Sequence, residues 1–189
     1  MSERRAALRQ LLGRILPADT RFVWELGCGH GHFLTAYAQA HPDRVCVGID
    51  IVSERIDRAN RKRERASLPN LHFIRAEARM FLEELPGDAR LSAIYILFPD
   101  PWPKKRHHKH RIVQPEFLQA VAQRAEQGTR LFFRTDYEPY FQAAAKTFRA
   151  HPDWRVTDEP WPFEYETVFQ RRVTGHHSLV ARAQAGAIS

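Results

Sequence analysis

The 189-residue sequence predicts an α/β fold, a mostly parallel sheet with helices on both faces. Three observations carry this. Apolar runs rich in β-branched and aromatic residues alternate with segments of helical periodicity from residue 4 to about residue 150. The first of those runs empties into a glycine-rich turn, ELGCGHGH over residues 25–32, which opens a helix. No repeat, low-complexity stretch or linker interrupts the alternation, so a single domain over residues 1–189 is expected.

Each element has its own signal. Leu8, Leu11, Leu12, Ile15 and Leu16 recur at helical spacing while Arg4, Arg5, Arg9 and Arg14 take other faces. This predicts an amphipathic basic helix over 4–16, ended by Pro17 and packed on the domain, with RNA contact as a second use. RFVWELG (21–27) reads as a buried strand, Phe33, Leu34, Tyr37 and Ala38 as the stripe of the next helix, and RVCVGID (44–50) as the second strand. There follow a basic helix at 53–67, strand LHFIR at 71–75, a short helix at 78–85 and strand LSAIYILF at 91–98. A helix led by Pro115 turns Phe117, Leu118, Val121 and Ala122 inward, before strand TRLFFRT (129–135) and a helix over 138–150. After the aromatic segment DEPWPFEYE, TVFQRRV (167–173) and SLVAR (178–182) predict a closing antiparallel hairpin and a total of seven strands.

Composition narrows the function. With 29 Lys and Arg against 22 Asp and Glu, a net charge of +7 and a pI near 9.8, the chain favours nucleic acid or another polyanion as partner, with plain solubility as the alternative. Cys28 and Cys46 form no CxxC pair, which argues against a disulfide framework or a four-thiolate zinc site and fits a reducing cytoplasm. No apolar run approaches the roughly 20 residues of a membrane span, and residues 1–20 lack the uninterrupted apolar segment of a signal peptide, so no membrane is expected.

Spacing decides what the glycine turn binds. A dinucleotide fingerprint starting at Gly27 needs glycine where His32 stands, which weakens a nicotinamide oxidoreductase, whereas GxGxG with an acid two residues earlier is met by Glu25, Gly27, Gly29 and Gly31. Asp50 closes the second strand, where an acid accepts hydrogen bonds from ribose hydroxyls, and Glu77 lies just past the third, within reach of an adenine amino group. This series resembles the Rossmann-like class I methyltransferases, and the resemblance implies S-adenosylmethionine with Glu25 near its methionine moiety, Asp50 on the ribose and Glu77 toward the adenine.

The fourth strand delivers FPDPWPKKRHHKHR (98–111). Its prolines fix φ and remove donors, so the segment leaves the strand as a stiff loop holding Asp100. Trp102 offers a stacking face, and Lys104, Lys105, Arg106, Lys109 and Arg111 offer cations to RNA phosphates. His107, His108 and His110 could suggest zinc, but adjacent imidazoles diverge and no cysteine or carboxylate completes a ligand spacing, so no metal is expected.

With VQPEFL following it, this stretch strongly resembles the bacterial tRNA (guanine-N7-)-methyltransferases, the TrmB family, from about residue 22 to 182. The resemblance implies methyl transfer to N7 of a guanosine in the tRNA variable loop. By motif, Asp100 takes the place of the proposed catalytic acid, counted also among the cofactor-binding residues, Lys104 that of a substrate-binding lysine and Asp136 in RTDYEPY that of the substrate-binding acid. Thr167 and Phe169 match a T-x-F-E loop that reaches guanine and cofactor, with Gln170 standing where the acid is usual. Glutamine cannot pair with a cationic amine, which predicts weaker cofactor or guanine binding, restored by Gln170→Glu. The altered loop, Val173 in place of a glycine and Glu77 where Asp is usual keep two alternatives open: methylation of another RNA or nucleobase, and a cofactor-retaining RNA-binding protein with little catalysis. No obligate protein partner is implied, and both a monomer and a homodimer are compatible.

Overall fold

Alternating periodicity becomes alternating elements. The computed structural model describes residues 2–165 and 175–184. In chain order these are α1 (Ser2–Ile15), β1 (Arg21–Leu26), α2 (His32–Ala40), β2 (Val45–Asp50), α3 (Ser53–Arg65), β3 (Leu71–Arg75), α4 (Ala78–Glu84), β4 (Arg90–Leu97), a 3-10 helix (Lys105–His110), α5 (Pro115–Ala122), β5 (Ala125–Thr135), α6 (Glu138–Ala150), β6 (Trp154–Thr157) and β7 (His177–Ala183). The strands form a seven-stranded sheet in the order β3-β2-β1-β4-β5-β7-β6. Contacts divide the chain into two compact units, residues 1–92 and 93–189.

In the first unit β1, β2 and β3 are parallel, with Glu25 opposite Gly48 and Asp50 opposite Arg75. All three strands bury both faces, as a near-continuous apolar run dictates, and Trp24 stacks on Phe81 of α4 at 5.2 Å. Leu8 and Leu12 of α1, and Leu16 just past its end, are buried, as the stripe predicts. Its arginines are less free than an exposed basic face suggests: Arg5 and Arg9 both bind the buried carboxylate of Glu84, at 2.9 and 2.7 Å. Desolvation pushes that carboxyl up, but the hydrogen bonds from Arg9 and Arg5 prevail and hold it below the usual carboxylate range.

In the second unit β7 is antiparallel to both β5 and β6, pairing Phe133 with Leu179 on one side and Val156 with Ala181 on the other. The C-terminal strands are thus antiparallel, as expected. Both edges of β7 are taken, and its outer partner is WRVT of β6, whose apolar–polar alternation runs for only four residues. The strand expected at 167–173 lies outside the described residues. Trp154 anchors β6 by donating its Nε1–H to the Leu118 carbonyl at 2.9 Å, inside the core. Leu118 and Val121 of α5 are buried as expected, while Phe117 and Ala122 are only half-buried.

Candidate functional site

The first unit supplies a backbone cradle. Gly27, Gly29 and Gly31 all adopt positive φ (+70°, +53° and +69°), which only glycine enters readily. Their surroundings differ. A Cβ on Gly27 or Gly29 would meet nothing within 4 Å, whereas one on Gly31 would lie 2.4 Å from the Phe73 ring and 2.9 Å from the Ala59 Cβ. The first two glycines face open space, and the third lets α2 pack against β3 and α3.

Two acids frame that space. Asp50, 5% exposed, accepts the Gly29 N–H at 3.1 Å and the Val52 N–H at 2.9 Å, while Arg55 approaches at a long 3.5 Å. A carboxylate takes about four hydrogen bonds, so roughly one direction stays free and a second comes free if Arg55 withdraws. Glu25, 4% exposed, keeps Oε2 buried without any hydrogen-bond partner. Burial pushes its carboxyl up to about 8, against the Leu34 N–H that favours the ionised form; Asp50 adds to the rise and Lys62 opposes it. Glu77 is exposed at the start of α4.

The second unit supplies the rigid loop. Phe98 and Trp102 take positive φ (+49° and +43°) on either side of Asp100, a strained conformation for bulky residues. The Phe98 N–H donates to the Arg134 carbonyl at 2.8 Å, tying the loop's first residue to β5. Asp100 is exposed, and no hydrogen bond from a described residue engages its carboxylate. Trp102 is 36% exposed, with His107 against its ring edge at 5.7 Å and His110 at 5.1 Å. Lys104, Lys105, Arg106 and Lys109 are exposed on and beside the 3-10 helix, and Asp136 is exposed just past β5. Thr167, Phe169 and Gln170 lie outside the described residues. Among the described residues no three His, Cys, Asp or Glu side chains gather in a group able to hold a metal ion.

Comparison with known proteins decides the family. The pattern of the family described as "Putative methyltransferase" matches residues 19–188. The tRNA (guanine-N(7)-)-methyltransferase of Thermosynechococcus vestitus is 34% identical over 148 residues, covering 75% of this chain and 70% of that protein. The chain belongs to the tRNA (guanine-N7-)-methyltransferase family. A Synechococcus member is 40% identical over 135 residues, 70% of this chain and 56% of its own length. The chain spans from about half to about two thirds of the length of the curated family members it matches. A methyltransferase structure from Pyrococcus furiosus shares the fold, with a TM-score of 0.64 at 15% identity over 94% of this chain and 82% of that one.

The family's methyl donor, S-adenosylmethionine, fits the first unit. Open space lies where Gly27 and Gly29 lack a Cβ, an orphaned carboxyl oxygen can take an ammonium, and Asp50 retains room for ribose hydroxyls. Two residues of this family member play parts the sequence does not reveal. Arg111, expected on the phosphate-binding surface, is 4% exposed: its Nε–H donates to the Pro101 carbonyl at 2.8 Å and its guanidinium lies over the Tyr140 ring at 4.8 Å. It braces the Asp100 loop from beneath and is not available to RNA. Arg134, also 4% exposed, donates twice to Glu164 (3.1 and 3.0 Å) and once to Ser178 (2.8 Å), 3.9 Å above the Trp161 ring. It fastens the segment leading into T-x-F-Q. The available hint was an arginine inside an apolar strand, with tryptophan and glutamate downstream to receive it.

Proposed function

We propose that this chain transfers a methyl group from S-adenosylmethionine to N7 of guanine in tRNA, in the variable loop, in the cytoplasm. The observation that carries the reading is Asp100: an exposed, unengaged carboxylate held by a strained triple-proline loop that runs into exposed cations. The donor belongs to the turn of Glu25, Gly27, Gly29 and Gly31 with Asp50 and Glu77, and supplies an electrophilic methyl group on sulfonium. The guanosine belongs to Asp100, Lys104 and Asp136, joined by Thr167, Phe169 and Gln170, with Lys105, Arg106 and Lys109 on the RNA backbone. Guanine N7 carries a lone pair and no proton, so the site needs no strong base. Positioning the two reactants about 3 to 3.5 Å apart can contribute ~7–11 kcal/mol. Asp100 accepts from the guanine N1 and N2 edge and offsets the positive charge arriving on the ring.

Incubating the protein with labelled methyl donor and total tRNA, then mapping the modified nucleoside, tests this directly. N7-methylguanosine in the variable loop supports it, a methyl group elsewhere indicates another RNA substrate, and donor binding without transfer to any RNA indicates an RNA-binding protein. An Asp100→Asn enzyme that works at full rate removes Asp100 from the chemistry.

A further inference from the structure

The cofactor leaves one charged surface of the first unit unexplained. α3 buries only Ile56 and Ala59, while Arg55, Arg58, Arg61 and Arg65 are exposed and Lys62 turns back to donate to the His30 carbonyl of the glycine turn at 2.9 Å. At about 100° per residue these five cations fall within an arc of roughly 120°. Glu54 shares the arc at its N-terminal end, and Asp57 and Glu64 lie beside it. Only Arg55 has an acidic partner, Asp50 at 3.5 Å; no carboxylate among the described residues pairs with Arg58, Arg61 or Arg65. The His30 imidazole is held below its usual value, first by desolvation and then by Arg58, Arg55 and Lys62, which marks these cations as crowding the turn.

S-adenosylmethionine does not call for them. It carries a sulfonium and an ammonium against one carboxylate and has no phosphate, so cations beside its cradle repel it. Such repulsion strengthens where solvent is excluded. Cations gathered at a glycine turn suit an anion. From Arg55 to Arg65 the arc runs about 15 Å at 1.5 Å per residue, the reach of roughly four phosphates along one strand.

We propose that the exposed face of α3, Arg55, Arg58, Arg61 and Arg65 with Lys62 and His30, binds the phosphate backbone of the tRNA, as a second electrostatic contact besides the run at 104–109. The proposal rests on the tRNA reading above. Its test is the salt dependence of tRNA binding by the full chain and by Arg58→Gln/Arg61→Gln and Arg58→Glu/Arg61→Glu, neither residue hydrogen-bonding to the glycine turn. Each phosphate contact contributes about 0.9 to the slope of log K against log salt, so the Gln pair should flatten the slope by nearly two and weaken binding to every tRNA alike. The Glu pair should weaken it further, with S-adenosylmethionine affinity in calorimetry unchanged or improved and the melting temperature retained. Slopes and affinities equal to wild type in both variants, while the parent still binds tRNA, overturn the α3 surface alone. A parent that binds S-adenosylmethionine but no tRNA overturns both readings.

Discussion

Replacing Arg111 by alanine separates a brace from a phosphate contact. The charged hydrogen bond to Pro101 at 2.8 Å is worth about 1.5–3 kcal/mol, and the desolvated stack on Tyr140 at 4.8 Å about 2. Against this, Arg111 keeps Nη2 buried without a partner, and deleting that orphan returns about 1–3 kcal/mol. The balance is a loss of about 2 kcal/mol, which for a chain this long lowers the melting temperature by roughly 4–8 °C. Because the residue sets the loop beneath Asp100, methyl transfer by the folded fraction should fall through kcat, and Arg111→Lys should not restore it, since an ammonium cannot reproduce the planar fork. The salt slope of tRNA binding should stay as in wild type. A stability unchanged to within about 0.5 kcal/mol, with the slope reduced by about one, would refute the brace and return Arg111 to the phosphate surface.

Three further outcomes follow from the first unit. With a folded value near 8 against an unfolded 4.5, Glu25 keeps its proton on folding between those pH values, so the cofactor-free protein should lose stability as pH rises through that window, by several kcal/mol at most. Glu25→Gln should lose that fall between pH 5 and 8, and an equally sloped profile in the variant would exclude Glu25 as the cause. Gly31→Ala puts a Cβ 2.4 Å from Phe73 at φ +69° and should destabilise by about 2–4 kcal/mol. Gly29→Ala, with open space around it, should lose only ~1–2 kcal/mol from backbone strain while weakening S-adenosylmethionine binding in calorimetry. Glu84, held low by Arg9 and Arg5, contributes stability above its unfolded value that disappears as pH falls through the folded one; Glu84→Gln should remove that acid-side loss and speed hydrogen exchange in α1.

Much of this arrangement is legible in the chain because the signals are local. A strand that empties into GxGxG states its own turn, and β3 and α6 begin and end where periodicity places them. What escapes is decided by residues far apart in sequence. Arg111 looks like one more cation in a basic run, and only Tyr140, 29 positions on (140 minus 111), makes it interior. Gly31 shares a motif with Gly27 and Gly29 but is held by Phe73 and Ala59, so equal spacing conceals different duties. β6 alternates apolar and polar over only four residues, next to an aromatic, proline-rich segment, and its pairing with β7 arises from the sheet edge that β7 offers. The exposed Asp100 could be anticipated from its prolines, but the positive φ of Phe98 and Trp102 could not, because neither residue type favours it.

The position of β7 between β5 and β6 also dictates when the second unit can form. Leu131 waits for Ala181, and Val156 for the same residue, so the two earlier strands have no shared neighbour until the chain has been synthesised to about residue 183. Closing these pairs spans some 50 residues on one side (181 minus 131) and 25 on the other (181 minus 156), and loops of that length must be ordered before any pairing rewards them. On the ribosome, β5 and β6 would thus emerge as bare edges, and the late strand that joins them makes this half of the sheet the slower to fold and the more exposed to aggregation.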